Sequence, residues 1–219
     1  MITFDDIRNN AEVRAYIAKG HANLGVLGFT EHGSSHAMKS ARMAADILTA
    51  LGHEERTIEL ARIAGYMHDI GNCINRTDHA HTGALMAMMI LRGMDMEPAE
   101  IAIVAAAIGN HDEKTGTAVD AVSAALILAD KTDVRRSRVR AQSHADFDIH
   151  DRVNYAAVAS TLTVNAQEKT ITMDIELDDG MCSVMDYFEI FTERMLMCRR
   201  AAQKLGCRFT MTANGSRVL

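Results

Sequence analysis

The residues with the clearest chemical potential in this sequence are an adjacent histidine and aspartate, His68 and Asp69. Helical neighbours point about 100° apart, so an imidazole and a carboxylate at adjacent positions can converge only on something that lies between them. A metal ion is the usual object of such a pair. Further nitrogen and oxygen ligands, enough for two metal ions, are available from His36, His79, His81, His111 and Asp130.

The order and context of these residues resemble the HD superfamily of metal-dependent phosphohydrolases. The signature of that family is a His, then a His-Asp doublet, then a distant Asp. The residues that stand at those four positions are His36, His68, Asp69 and Asp130. The segment 31–37 also looks like the start of the family's first-histidine helix. The resemblance implies a helical metal-binding domain whose first ion is held by these four residues.

The resemblance also bears on a second ion. Two-metal members of the family carry a His-Pro-x-x-Gly-Ala-like segment, and the sequence has His79-Ala-His-Thr-Gly-Ala, with His79 in register and His81 as the second choice. A segment resembling His-His-Glu supplies another ligand, and here Asn110 replaces the first of its histidines, which leaves His111. The resemblance therefore implies His79 and His111 as ligands of the second ion. Asp69, with two carboxylate oxygens, is the natural bridge between the ions.

The expected chemistry follows from the charges. Two divalent ions that flank a water lower its pKa and clamp phosphate oxygens during in-line attack. Histidine and carboxylate ligands without a nearby thiolate suit iron, manganese, cobalt, zinc or magnesium, of which iron and manganese are favoured here. Lys131 and Arg135 follow Asp130 closely and can neutralise substrate phosphate. His32, one helical turn before His36, either contacts substrate or fixes the start of its helix. Asp69, Lys131 and His32 are thus the predicted catalytic residues.

Given the resemblance, we expect an enzyme that hydrolyses a phosphate ester or anhydride of a nucleotide or another small phosphorylated metabolite. The ligand pattern is similar to bacterial diadenosine tetraphosphate hydrolases of the superfamily. It is also similar to the HD-GYP cyclic-dinucleotide phosphodiesterases, although the GYP segment itself is absent. Two alternatives stay open at this point. Mixed-valent di-iron oxygenases of the superfamily use nearly the same ligands, and a non-catalytic nucleotide sensor would also need the site.

The composition agrees with a globular protein that buries a real core, since 48% of the 219 residues are hydrophobic and 24% are charged. A formal net charge of -6 argues against general affinity for nucleic acid. The four cysteines form no CxxC pair and no secretory signal is visible, which favours reduced thiols in the cytoplasm. No apolar run has the length of a membrane span, so no membrane partner is expected.

Apolar residues recur at three- and four-residue intervals up to about residue 140, which predicts a helical bundle. The predicted helices are Phe4 to Leu24, Ser35 to Leu51, Glu54 to His68, His79 to Arg92, Pro98 to Asn110 and Asp120 to Asp133. Gly52 is expected to cap the C-terminus of one helix, and Pro98 suits the first turn of another.

After Asp146 the pattern changes to two β-rich runs, Tyr155 to Val164 and Ile171 to Leu177, separated by a short turn. Helical spacing returns over Ser183 to Leu205, and a third strand is expected from Cys207. We therefore predict a mainly α protein with an HD-type helical domain at residues 1–145 and a small α+β appendage at 146–219 packed on it. The appendage can cap the active site or form a homodimer through an exposed strand edge, and we favour the dimer.

Overall fold

The computed structural model describes residues 1–140 and 149–219. Over these ranges the chain forms a helical bundle followed by a four-stranded sheet with one long helix against it. The bundle helices are α1 Phe4–Asn9, α2 Ala11–Val26, α3 Ser34–Ala50, α4 Glu55–Met67, α5 His79–Gly93, α6 Pro98–Gly109 and α7 Ala121–Lys131. The remaining elements are α8 Ile149–Ala156, β1 Ala157–Asn165, β2 Thr170–Leu177, α9 Val184–Lys204, β3 Arg208–Ala213 and β4 Ser216–Arg217. The predicted mainly α fold with a C-terminal α+β part is confirmed.

The N-terminal helix predicted over Phe4 to Leu24 is in fact two helices that meet at Asn10. The Asn10 side chain accepts hydrogen bonds from the backbone N–H groups of Glu12 and Val13, which makes it the N-cap of α2. A side chain that satisfies these free N–H groups competes with continuation of the preceding helix. The break therefore follows from a cap that apolar spacing alone does not reveal.

Helix α7 is the centre of the bundle, because it packs against α3, α4 and α6 and also against α9 from the C-terminal part. Every side chain from Val122 to Ala129 is buried. Asp120 starts the helix with a capping box, in which its side chain accepts from the Ser123 N–H while Ser123 Oγ accepts from the Asp120 N–H. The cap defines where α7 begins, and Asp130 and Lys131 lie at the C-terminal end of the same helix.

Two short structural details support the predicted helix boundaries. Gly52 follows α3 with a φ of 75°, the left-handed conformation that glycine adopts without strain, and Pro98 occupies the first turn of α6.

Helices α3 and α4 cross very closely at Gly65, where an added Cβ atom would lie 2.7 Å from the Ala41 Cα. This close crossing brings His36 of α3 next to the C-terminal end of α4.

The sheet has the order β1-β2-β3-β4. β1 and β2 form the predicted antiparallel hairpin, β2 and β3 are parallel, and α9 makes the crossover between them. The first strand begins at Ala157 rather than Tyr155, because helix α8, which the sequence analysis missed, continues to Ala156. β1 is an edge strand of the sheet, and its Val158 is 55% exposed. A homodimer through this edge stays a prediction, and the domain boundary expected at residues 145–146 lies outside the described residues.

Candidate metal centre

The His-Asp doublet lies where α4 ends. His68 is the C-cap of α4, and Asp69 leads into a short 3-10 helix, Ile70–Cys73, so the two side chains are held at a sharp change of backbone direction. Gly71 in that turn packs so closely on α5 that an added Cβ would meet the carbonyl oxygen of His79 at 2.1 Å. A glycine is therefore required there, and it places the N-terminus of α5 directly beside Asp69.

Four ligand residues converge in what we name the first ligand group: His36, His68 and Asp130, with the Oδ2 atom of Asp69. The Nε2 atom of His36 lies 3.2 Å from that of His68 and 3.1 Å from Asp130 Oδ1. Asp69 Oδ2 is 3.3 Å from His68 Nε2 and 3.8 Å from His36 Nε2. One ligand atom each from His36, His68 and Asp130 fall within 4.8 Å of one another, a spacing that a single metal ion can span.

The second ligand group consists of His79 and His111 with the other oxygen of Asp69. The Nε2 atoms of the two histidines are 3.1 Å apart, and they lie 3.5 Å and 3.9 Å from Asp69 Oδ1. One carboxylate therefore presents Oδ2 to one pair of histidines and Oδ1 to the other. This is the arrangement expected of a ligand that bridges two cations.

The hydrogen bonds made by the Nδ1 atoms of His36 and His68 determine that Nε2 is the nitrogen that faces the first ligand group. His68 Nδ1 lies 2.8 Å from the Gly65 carbonyl oxygen, which can only accept, so in the neutral ring Nδ1 carries the proton. His36 Nδ1 lies 2.8 Å from the buried carboxylate of Asp133 and donates in the same way. The two Nε2 atoms therefore face each other at 3.2 Å. A cation between them would be coordinated by both, in place of the proton that His68 carries without metal.

The second pair repeats the pattern with backbone partners. His79 Nδ1 is 3.1 Å from the carbonyl oxygen of Arg76, and His111 Nδ1 is 2.6 Å from that of Ile108. Both rings are buried, and both line the cavity described below. These rings direct lone pairs at each other, and they form a second place where a cation fits.

A buried oxygen provides an independent test of whether these residues fit metal ions. Asp69 Oδ2 has no hydrogen-bond partner among the described residues, whereas Oδ1 accepts a hydrogen bond of 2.8 Å from Asn72 Nδ2. A buried carboxylate oxygen without a donor is costly unless a cation neutralises it. The orphaned oxygen lies in the first ligand group, so the chemistry of the site fits a bound metal ion there.

The titration behaviour of the site also points to stored negative charge. Burial acts to lower the pKa of His68, but the Asp69 and Asp130 carboxylates outweigh it and raise that pKa to about 10. Burial likewise acts to raise the pKa of Asp130, yet Lys131 and the two histidines hold it well below its ordinary value. In the absence of metal a proton on His68 therefore supplies the positive charge that the carboxylates attract.

A cavity of 240 Å³ opens above the two ligand groups, with Asp69, His79, His111 and Asp130 in its floor. Its wall carries positive charge from several elements. The cationic side chains that line it are Arg76, Lys131, Arg138 and Arg194. The lining also contains apolar side chains, Leu27 and Phe29 from the loop after α2 and Phe191 from α9. Its remaining side chains are polar: Thr30, His32, Asp151 and Asn154. Such a cavity suits a small anion held above metal ions.

Lys131 connects the metal centre to the C-terminal part of the chain. Its Nζ lies 2.8 Å from Asp130 Oδ2 and 2.7 Å from Glu113 Oε2, and Glu113 Oε1 accepts a bond of 3.2 Å from Arg194 Nε. Burial would lower the pKa of Lys131, but the two carboxylates raise it above its ordinary value. Lys131 is therefore a fixed positive charge in the wall of the cavity.

The other predicted residues are distributed as follows. His32 lines the cavity, and its Nδ1 lies 2.7 Å from the Thr30 carbonyl oxygen. His81 is 55% exposed and faces Asp78, away from the ligands, so His79 is the histidine of that segment that reaches the site. Arg135 is not brought to the cavity. It lies behind the site and donates through Nε to Asp133 Oδ1 at 3.0 Å, because Asp133 is turned toward His36 and its neighbours.

Three residues of the site were not singled out from the sequence. Asp133 and Arg76 each lie three residues from a predicted ligand, Asp130 and His79, and this short separation was the available signal, although neither residue is in a helix. Arg194 is far from the ligands in sequence and reaches the cavity only because α9 packs on α7. Arg138 lies three residues after the predicted Arg135, and its buried side chain lines the cavity.

Comparisons with known proteins identify the class of domain. The HD domain family model matches residues 33–152, more than half of the chain, and the chain therefore belongs to the HD domain family. This membership implies divalent metal binding, and the two groups described above are clusters of His and Asp side chains of the kind that binds such ions. Within the described residues, no helix is both long and apolar enough to cross a membrane.

The proteins similar to this chain include an archaeal relative and a bacterial protein of known structure. An uncharacterized protein of Methanocaldococcus jannaschii is 24% identical over 200 residues, a match that covers 80% of this chain and 76% of the relative. The crystal structure of a predicted HD superfamily hydrolase from an uncultured Thermotogales bacterium matches with a TM-score of 0.45 and 24% identity. That match covers 57% of this chain and 67% of the other.

Proposed function

We propose that this protein is a metal-dependent phosphohydrolase of the HD superfamily, which hydrolyses a phosphate ester or anhydride of a small metabolite or nucleotide. The observation that carries the proposal is the position of Asp69, with one carboxylate oxygen toward each histidine pair beneath a cation-lined cavity. Membership of the HD domain family supports the broader assignment to metal-dependent hydrolases. The positive wall of the cavity supports phosphate as the group attacked.

The chain's own residues divide the work of catalysis. His36, His68 and Asp130 would hold one cation, His79 and His111 the other, and Asp69 would bridge them. When bound, two divalent cations supply Lewis acidity and a water of lowered pKa. Lys131, held protonated between carboxylates, offers charge to phosphate oxygens and does not serve as a base. Because the substrate enters beside Lys131, its phosphate is oriented before any bond is broken.

His32 has a different task because its ring is neutral. Burial first, and then the charge of Arg138, hold the pKa of His32 well below its ordinary value. Its Nδ1 donates to the Thr30 carbonyl oxygen, which leaves Nε2 as a hydrogen-bond acceptor. His32 can therefore accept a bond from a hydroxyl group of the substrate. Its ring also packs edge to face on that of His36, with centroids 5.5 Å apart, which steadies this ligand.

The size of the cavity limits the substrate. Pockets that enclose whole drug-sized ligands measure about 300 to 1,000 Å³, and this cavity measures 240 Å³. It accommodates a phosphate head group with a small substituent. A larger nucleotide would place its phosphate end on the metal floor and the rest against Leu27 and Phe29 at the mouth, which are 61% and 41% exposed. We therefore favour small phosphate monoesters and the phosphate termini of nucleotides.

The test combines a substrate screen with removal of the bridge. Protein loaded with manganese, cobalt or iron is incubated with phosphorylated compounds, and released phosphate and bound metal are measured together. Asp69→Ala should lose both ions and at least about a thousandfold in turnover, since it removes the shared ligand. Asp46→Ala, the same substitution at an exposed position on α3, is the matched control and should behave as wild type.

Two results would contradict the proposal. Full metal content and phosphate release in Asp69→Ala would show that the ligands are assigned incorrectly. Oxygen consumption by the iron-loaded protein, without phosphate release from any compound, would replace the hydrolase with an oxygenase that uses the same ligands.

A further inference from the structure

The guanidinium group of Arg76 lies inside the second ligand group. Its NH1 atom is 3.2 Å from His79 Nε2, 4.0 Å from Asp69 Oδ1 and 3.4 Å from Asn72 Oδ1. Asn72 in turn donates to Asp69 Oδ1, so its amide links the arginine and the bridging carboxylate. A positive charge of the protein itself therefore stands next to the atoms that would hold the second ion.

The contact with His79 is decided by the direction of its hydrogen bonds. His79 Nδ1 faces the backbone carbonyl oxygen of Arg76, which can only accept, so Nδ1 donates and Nε2 keeps its lone pair. Arg76 NH1 donates to that lone pair, because a guanidinium group has no acceptor. A metal ion needs the same lone pair for coordination. Arg76 and the second ion therefore exclude each other at His79.

The first ligand group contains no such competitor. Among the described residues, no arginine or lysine donates to the Nε2 atoms of His36 or His68 or to Asp130 Oδ1. Lys131 pairs with the other oxygen of Asp130, Oδ2. An ion can enter the first group without displacing any side chain.

We propose that Arg76 is a built-in competitor for the second metal ion, so that the two ions bind in order and with unequal affinity. The inference rests on the metal-dependent function proposed above and adds a control of occupancy to it. The first ion binds to the open ligand group. The second binds only when the Arg76 guanidinium leaves His79 and Asp69.

The structure also shows where the displaced guanidinium can go. Its CZ atom already lies 5.6 Å from the centre of the Phe29 ring, in the wall of the cavity. A small outward movement keeps this cation-π contact and turns the NH groups toward the cavity, where an anion can accept from them. A bound anion and the second ion then favour the same position of Arg76. By reciprocity, each raises the affinity for the other.

The experiment is a titration of metal-free protein with Mn²⁺. Calorimetry measures the binding of each ion, and the exchange-coupled EPR signal reports the two-manganese site. Wild type should bind one ion tightly and a second ion about tenfold or more weaker. Arg76→Gln removes the competing charge, and it should raise the second affinity about ten- to a hundredfold without change in the first. The coupled signal should then appear at lower added Mn²⁺.

Arg194→Gln is the matched control, because it removes a cation from the same cavity that contacts Glu113 and neither ligand group. It should leave both affinities close to wild type. Arg76→Met preserves the packing of the arginine stem and serves as a second neutral variant if Gln perturbs folding. Inorganic phosphate, added as the anion probe, should raise the second affinity in wild type and have less effect in Arg76→Gln.

Specific outcomes would overturn the inference. These are two equally tight ions in wild type, an unchanged or lower second affinity in both Arg76 variants, or the same gain in Arg194→Gln. Absence of a second ion in Arg76→Gln at millimolar Mn²⁺ would also overturn it. Since the titration needs no substrate, its result is read separately from the hydrolysis screen. A protein that binds ions in order but releases no phosphate would leave this inference standing and refute the hydrolase.

Discussion

The two ligand groups share Asp69 but differ in their other ligands and in the hydrogen-bond partners of their histidines. The first has a second carboxylate, Asp130, among its ligands, and its His36 is backed by the buried carboxylate of Asp133. The second has only histidines besides Asp69, and backbone carbonyl oxygens lie behind both rings. Negative charge is therefore concentrated on one side of the bridge. A carboxylate behind a histidine raises its basicity more than a carbonyl oxygen does, so the first group should bind metal more tightly.

The comparison shows that two pairs of histidines with the same spacing can form metal sites of unequal affinity. The Nε2 to Nε2 distances are almost the same, 3.2 Å for His36 and His68 and 3.1 Å for His79 and His111. What differs is the charge that surrounds each pair. Asp130 and Asp133 surround the first pair, whereas the guanidinium of Arg76 faces the second.

The largest expected effect comes from removing one histidine on each side of the bridge. His36→Ala should lower the affinity for the first ion by about a thousandfold or more, because it removes a ligand from the first ligand group and leaves Asp133 without its imidazole partner. His111→Ala should instead retain one ion per chain. Elemental analysis after exhaustive dialysis measures both.

His81→Ala is the control for these variants, since His81 belongs to the same ligand-rich segment as His79 but points to solvent. It should keep the metal content and the phosphate release of wild type. Loss of an ion from His81→Ala, or equal losses from the two ligand variants, would refute the division into a tight and a weak group.

A smaller effect is expected from the carboxylates behind the histidines. Asp133→Asn should weaken the first ion about ten- to a hundredfold and leave the second nearly unchanged, because it removes the charge that supports His36. Asp112→Asn makes the same change behind His79, where the carboxylate is 3.9 Å from Nδ1 and too far for a hydrogen bond. We expect less than about a threefold effect there. Manganese titrations of the two variants decide the comparison, and equal effects would contradict it.

The smallest effect is on stability in acid, measured on metal-free protein. Burial alone would raise the pKa of Asp133, but the hydrogen bond with His36 and the charges of Arg138 and Lys39 hold it well below its ordinary value. The pKa of Glu113 is lowered in the same way, because the charges of Lys131 and Arg194 outweigh the effect of burial, which acts to raise it. A carboxyl group whose pKa is depressed by folding stabilises the protein above its unfolded pKa of about 4 and loses that contribution as the pH falls.

We therefore expect the free energy of unfolding to decrease by about 2 to 4 kcal/mol as the pH falls from 5 toward 2, when urea unfolding is followed. Asp133→Asn should be less stable than wild type at pH 6 but lose less on acidification, because one of the titrating groups is gone. An acid dependence of the variant that equals that of wild type would show that Asp133 is not a source of this stability.

Most helices, and the histidines and aspartates that the structure brings together, could be predicted from the sequence because both depend on local signals. Helical periodicity, the capping glycine at position 52 and Pro98 are read within a few residues. The break at Asn10 was missed because a capping side chain interrupts a continuous apolar pattern. The start of the first strand was placed two residues early because α8 precedes it, and Ala156 suits a helix as well as a strand.

The residues around the expected phosphate could not be ranked from sequence. Arg135 and Arg138 belong to one basic run, yet Arg138 enters the cavity while Arg135 turns behind the site to Asp133. Arg194 has no local feature that distinguishes it from other arginines on the polar side of a helix. The packing of α9 on α7 brings it beside Glu113, and only the tertiary structure contains that information.

The sequence by itself indicated a metal centre, because its histidines and aspartates stand in the order of the HD domain family and offer nitrogen and oxygen ligands to a cation. The tertiary structure decided how the two sides of that centre differ. Coulombic attraction depends on distances of a few ångströms between atoms far apart in the chain. The proximity of Asp133 to His36 and of Arg194 to Glu113 is set only when the helices pack.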